Sequence, residues 1–145
     1  MTNYSELNPV TQADFKRLAL MQALDTILWS SPALRYEDDD ECMDAVATVH
    51  DFDDASLERV EADLFAFIDA NAADIADMDY SDVGHNYVLS RDRHGTGFWD
   101  RDLGERGERL HEAASVGTFE AYLVLSDEEN GVEPVRPDAW TVYVK

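Results

Sequence analysis

The sequence predicts an α+β domain, with N-terminal helices packed on a small, mainly antiparallel sheet and one further helix. Three observations lead there. Apolar residues recur at three- and four-residue steps through the first half of the chain, which is the helical period. Strict alternation, the strand period, begins only near residue 86. The chain has 145 residues and is 45% hydrophobic, enough for one core without disulfide or metal staples. Helices first and strands afterwards, around one more helix, is the α+β order.

Thr11 opens the first predicted helix, with Asp14 at the acidic position of a capping box. Phe15, Leu18, Ala19, Met21, Leu24, Ile27 and Leu28 then form a wide apolar arc, so the helix is expected to be well buried. Ser30-Ser31-Pro32 ends it, because proline cannot continue the hydrogen-bond ladder. Glu37 to Asp54 reads as a loop with one helical turn near Met43 to Val49. The run Glu37-Asp38-Asp39-Asp40-Glu41 repels itself and is expected to be solvated and mobile. It lacks the spaced ligands, turn glycine and distal glutamate of an EF-hand, so no calcium site is assigned.

Asp53 and Asp54 cap a second helix with Leu57, Val60, Leu64, Phe67, Ile68, Ile75 and Met78 as its apolar stripe. Asn71 is a candidate break. Uninterrupted, such a helix of about 22 residues would be roughly 33 Å long. Asn86 to Arg91 reads as a strand, Asp92 to Gly97 as a turn with two glycines, and Phe98 to Arg101 as a short return strand. Leu103 to Ser115 reads as a helix, weakened at its start by Gly104 and Gly107. Phe119 to Leu125 is the clearest strand. Asp127 to Asp138 is a loop, and Trp140 to Val144 a terminal strand.

Charge excludes several roles. The net charge is −21, from 32 acids against 11 bases, which argues against direct binding of nucleic acid or of an anionic membrane. No run of eighteen apolar residues exists to span a bilayer. Met1 to Pro9 is polar and does not resemble a signal peptide. Cys42, the single cysteine, allows no intrachain disulfide and reads as structurally incidental. A cytoplasmic location is the expectation. No cofactor is expected. Lysine is limited to Lys16 and Lys145, against nine arginines, a usage that fits a GC-rich or salt-adapted genome.

The acid is unevenly placed. Glu37 to Asp82 carries 17 acids and one base, a charge of −16, whereas His85 to His111 carries five arginines and five acids. In the second helix Glu58, Glu61, Asp63, Asp69, Asp74 and Asp77 are the candidate partner-binding positions. They form either a wet helix face or a ridge that recognises a basic protein.

One polar-aromatic segment stands apart: Gly84-His85-Asn86-Tyr87-Val88-Leu89-Ser90-Arg91-Asp92-Arg93-His94-Gly95-Thr96-Gly97-Phe98-Trp99-Asp100-Arg101. It resembles a motif of small proteins from bacteriophages and other mobile elements, of the form G-H-x-[FY]-x-L-[ST]-R-x-x-H-G-x-G-F-W-D-R. Leu28-Trp29-Ser30-Ser31 resembles a shorter element of the same proteins. The resemblance implies a phage or mobile-element origin and an accessory, host-directed role. It implies no biochemical activity.

The residues of this segment have two readings. In one, Tyr87, Phe98 and Trp99 pack, Arg91 and Asp100 pair across two strands, and the histidines bond turns. In the other, Arg91, His94, Trp99, Asp100 and Arg101 gather as a ligand site, with arginine clamping an anion, histidine serving as acid or base and Trp99 stacking on a ring. His85 and His94 are nine apart with no cysteine nearby, which gives no zinc spacing. The leading expectation is an interaction protein that binds a host protein, basic or DNA-binding in character, through the acidic first half, as a decoy or inhibitor. A small ligand-binding protein or enzyme using the Arg91 cluster is the rival. A salt-adapted domain whose charge has no partner is the third reading.

Overall fold

The computed structural model describes residues 9–92, 97–98, 104–115, 119–125 and 140–145. Helix α1 spans Pro9–Ser30, α2 Asp54–Ala70, α3 Tyr80–Asp92 and α4 Glu105–Ala114, and strands β1 (Ala121–Leu125) and β2 (Trp140–Val144) follow. Short 3-10 turns at Met43–Ala45 and Val49–Asp51 join α1 to α2. The architecture is α+β: among the described residues, four helices and a two-stranded antiparallel sheet, with Ala121 opposite Val144 and Leu125 opposite Trp140.

Helix α1 forms the spine. Ala19, Ala23, Leu24, Ile27 and Leu28 are buried in the core. The helix already includes Pro9 and Val10, so Thr11 lies inside its first turn and is not the cap expected from the sequence. Proline at the first helical position fits, because its missing N–H had no partner to lose. The chain turns out at Ser31 and Pro32 as expected.

Helix α2 starts at Asp53, whose side chain accepts a hydrogen bond from the backbone N–H of Ser56. It ends at Asn71, the anticipated break, whose side-chain amide donates to the Phe67 carbonyl. Ile75 lies beyond the helix and is still fully buried. The last strand meets the start of α2 here. The Val142 carbonyl accepts from Asp53 N, and Val144 N donates to Ser56 Oγ. Strand β2 is therefore bonded to β1 along one edge and to the start of α2 along the other.

The largest departure from the sequence reading is α3. Asn86 to Arg91 was expected as a strand and is helical. From Val83 to Arg91 every residue except His85 is buried. A helix covered on almost all sides has no polar stripe, so its apolar run carries no period to distinguish it from a strand. A start signal was nonetheless present in Asp79. Its side chain accepts from Ser81 N and its carbonyl from Val83 N. The expected turn and return strand fall largely outside the described residues. Of them, Gly97 has φ 134° and Phe98 is fully buried.

Helix α3 lies directly on α1. A Cβ added at Gly84 would stand 2.2 Å from the Ala19 carbonyl oxygen and 3.1 Å from Ala23 N, so only glycine permits this backbone-to-backbone approach. Around the other side, Phe67 meets Tyr87 at 4.9 Å and Phe98 at 5.6 Å between ring centroids, and Tyr87 meets Phe119 at 6.1 Å. Aromatic pairs at such distances contribute about 0.5–1.5 kcal/mol each beyond area burial.

Candidate functional site

The candidate residues divide by what they touch. Of the acids on and after α2, four are held by cations of other elements. Lys16 Nζ of α1 donates to Asp69 at 2.9 Å, Arg91 Nη2 of α3 to Asp63 at 3.1 Å, and Arg106 of α4 pairs with Asp77. Arg109 of α4 grips Asp74 through two bonds, Nε to Oδ2 at 3.1 Å and Nη2 to Oδ1 at 2.7 Å. That grip holds the Asp74 carboxyl below its ordinary pKa. Asp63, Asp69, Asp74 and Asp77 thus join α2 and the turns after it to three neighbouring helices. Glu58 and Glu61 make no ion pair among the described residues.

The acidic run between α1 and the first 3-10 turn is organised, against the expectation of self-repelling, mobile chain. Its base is closed by two backbone bonds, Met43 N to Ser31 O and Ala33 N to Glu41 O, both 2.9 Å. Inside it the fully buried Asp39 side chain accepts four hydrogen bonds: from Arg35 N, Nε and Nη2 and from Glu41 N. The Arg35 guanidinium, followed by the two backbone donors, holds Asp39 far below the usual carboxylate range. One acid of the five is therefore structural. Glu37, Asp38, Asp40 and Glu41 are turned to solvent.

The same loop displays apolar side chains that the sequence reading did not single out. Leu34 is 67% exposed and Tyr36 59% exposed, and Trp29 in the last turn of α1 is 56% exposed. Leu34 has φ 49°, the only positive φ outside glycine among the described residues. A γ-branched side chain in that region costs about 1–3 kcal/mol and persists only where its surroundings impose it. Here the Ala33–Glu41 bond before it and the Asp39 bonds after it do so. No sequence signal marks Leu34, since leucine is not a residue of left-handed turns. The five-acid run was the nearest pointer.

Beside Trp29 lies a notch of about 210 Å³ lined by Gln22, Asp25, Thr26 and His85. Thr26 Oγ1 and His85 Nδ1 are 2.9 Å apart, and the His85 and Trp29 rings are 5.9 Å apart. His85 of the motif is thereby placed on an outer face, with Asp25 as the nearest charge of the notch.

Of the motif cluster, only Arg91 is described; His94, Trp99, Asp100 and Arg101 lie outside the described residues. The expected cross-strand pairing of Arg91 with Asp100 loses its premise, because Arg91 is on a helix. Among the described residues its partners are Asp63, the Tyr87 hydroxyl at 2.9 Å and the Phe119 ring, whose centroid is 4.0 Å from Cζ. Tyr87 and Phe98 are buried, as the structural reading expected, but Tyr87 packs from a helix and not from a hairpin strand. Ser90 Oγ accepts from Phe98 N at 3.0 Å, fixing Phe98 against α3. Among the described residues no three His, Cys, Asp or Glu side chains gather for a metal, and no helix is long and apolar enough to cross a membrane. No family model, curated protein or solved structure matches the chain.

Proposed function

We propose that the chain is a non-enzymatic accessory protein of a phage or mobile element that binds a basic host protein. Its binding surface runs from the end of α1 through the Asp39-braced loop to the first half of α2. One observation carries this reading: Leu34 is exposed at a strained φ near exposed Tyr36, immediately before the most acidic stretch of the chain. A fold gains nothing from holding leucine in water at a backbone cost. A binding surface does, because apolar and aromatic anchors supply most interface energy, and the surrounding carboxylates select basic partners and speed encounter. Glu37, Asp38, Asp40 and Glu41, exposed on the same loop, form that rim, and Glu58 and Glu61 are the acids of α2 without an ion pair among the described residues. Trp29 and the notch at Asp25 extend it, fitting a lysine or arginine side chain against the indole. The resemblance of residues 84–101 to phage and mobile-element proteins supports the host-directed part.

Two surface variants test the proposal against capture from host lysate. Leu34→Ala/Tyr36→Ala is expected to abolish retention of the partner at all salt concentrations. Reversal of Glu37, Asp38, Asp40 and Glu41 to lysine is expected to slow association and to remove its salt dependence. Duplex DNA should compete if the partner is DNA-binding, since phosphates and carboxylates would satisfy the same cations. Undiminished retention by both variants would overturn the reading.

A further inference from the structure

A cleft of about 500 Å³ opens between α2, α3 and α4, within the range of about 300–1,000 Å³ typical of small-molecule sites. Among the described residues its walls are apolar, from Ala66, Phe67, Ala70 and Ala113, and its polar groups are Arg91, Asp63, Tyr87 and Asn71. The Arg91 side chain is only 7% exposed, yet its Nε has no hydrogen-bond acceptor among the described residues. Asp63 engages the guanidinium through Nη2 alone, although an arginine fork holds a carboxylate by two parallel bonds. Asp63 itself is 39% exposed, with acceptor capacity left on the cleft side of the pair. A buried guanidinium with spare donors thus stands beside a half-open carboxylate with spare acceptors.

We infer that this cleft binds a small zwitterion of the α-amino-acid class, its carboxylate on Arg91 and its ammonium on Asp63. A simple anion placed on Arg91 meets the Asp63 charge, and a simple cation placed on Asp63 meets the guanidinium. A ligand carrying both charges as substituents of one carbon satisfies both groups. Being neutral overall, it is also indifferent to the field of a chain of net charge −21, which would repel free anions. The Phe67 ring and the alanines take an aliphatic or aromatic side chain. This inference is independent of the protein-binding surface, which lies on α1, the loop after it and the start of α2.

Calorimetric titration of the full chain with L-leucine and L-phenylalanine tests it, alongside two analogues that each remove one charge, N-acetyl-L-phenylalanine and L-phenylalanine methyl ester. The free amino acids are expected to bind, and each blocked analogue to bind at least about tenfold more weakly, since it forgoes the charged hydrogen bonds to Arg91 or to Asp63. Ala70→Phe fills the cleft from an exposed helix position. It should abolish the binding heat with little change in the melting temperature of the free protein. No binding of either amino acid up to about 10 mM, weaker than any affinity worth about 3 kcal/mol, overturns the inference. So does equal binding of the blocked analogues, a result that needs no variant to fold.

Discussion

The acids of Glu37 to Glu61 and those of Asp63 to Asp77 look alike in the sequence and behave differently in the fold. In the second group four carboxylates each face a cation from α1, α3 or α4. In the first group Asp39 is locked by Arg35 and Asp53 caps α2, while Glu37, Asp38, Asp40, Glu58 and Glu61 form no ion pair among the described residues. A charge count cannot separate these cases, because it omits the cations that tertiary structure brings up. What remains unpaired is a smaller and more localised surface than the −16 of residues 37 to 82 suggests.

Substitutions can break or sharpen this contrast. Gly84→Ala sets the scale, since its Cβ meets backbone that cannot rotate away. It is expected to cost about 3 kcal/mol in chemical denaturation, and no acidic substitution in either group should exceed it. Asp63→Ala strands the buried Arg91 guanidinium and is expected to cost about 2 kcal/mol, below the fully buried range because Asp63 is partly solvated. A loss below about 0.5 kcal/mol would show that Asp63 belongs with the unpaired acids.

Acid titration separates the groups differently. The folded-state pKa values of Asp39 and Asp74 are depressed by Arg35 and Arg109, whereas an unfolded aspartate titrates near about 3.9. Their stabilisation is therefore complete above the unfolded value and is lost as pH falls through the folded values. The melting temperature should hold from neutrality to about pH 5 and fall below about pH 4. Asp39→Asn/Asp74→Asn should start lower and show a shallower acid slope. Identical slopes in the two proteins would mean that neither pair links stability to pH.

At the small end, Asp74→Asn alone is expected to cost under about 1 kcal/mol, as a partly exposed pair does. Glu58→Gln/Glu61→Gln should stay within about 0.5 kcal/mol of the parent or stabilise it by relieving repulsion. Added monovalent salt should raise the melting temperature of the parent slightly and that of the glutamine variant less. A fall in both would mean that the paired group dominates the electrostatics of the whole chain.

Much of the fold was legible because local patterns agreed with the tertiary outcome. The body of α1, the cap of α2 at Asp53, the break at Asn71, α4 and both strands follow from period, caps and breakers. Helix α3 was not legible, since burial on almost every side erased the polar stripe that marks a helix. The site was readable as residues but not as pairs. Arg91 and Asp63 both stood out, yet their contact spans 28 positions and exists only once α3 is a helix lying beside α2. Leu34 and Tyr36 escaped notice because exposure and a left-handed φ are properties of the folded loop.

Gly84 acts on α3 as a key acts in a shaft. Shifting α3 by one residue in either direction would drive the side chain of Val83 or His85 into the Ala19 carbonyl, so the missing Cβ admits a single rotational setting. Residues of a helix are fixed in azimuth to one another at 3.6 per turn. One setting at position 84 therefore aims His85 at Thr26 on the outer face, and Arg91, about two turns on, at Asp63 over the cleft. Two candidate surfaces on different sides of the molecule are indexed from one atom that is not there.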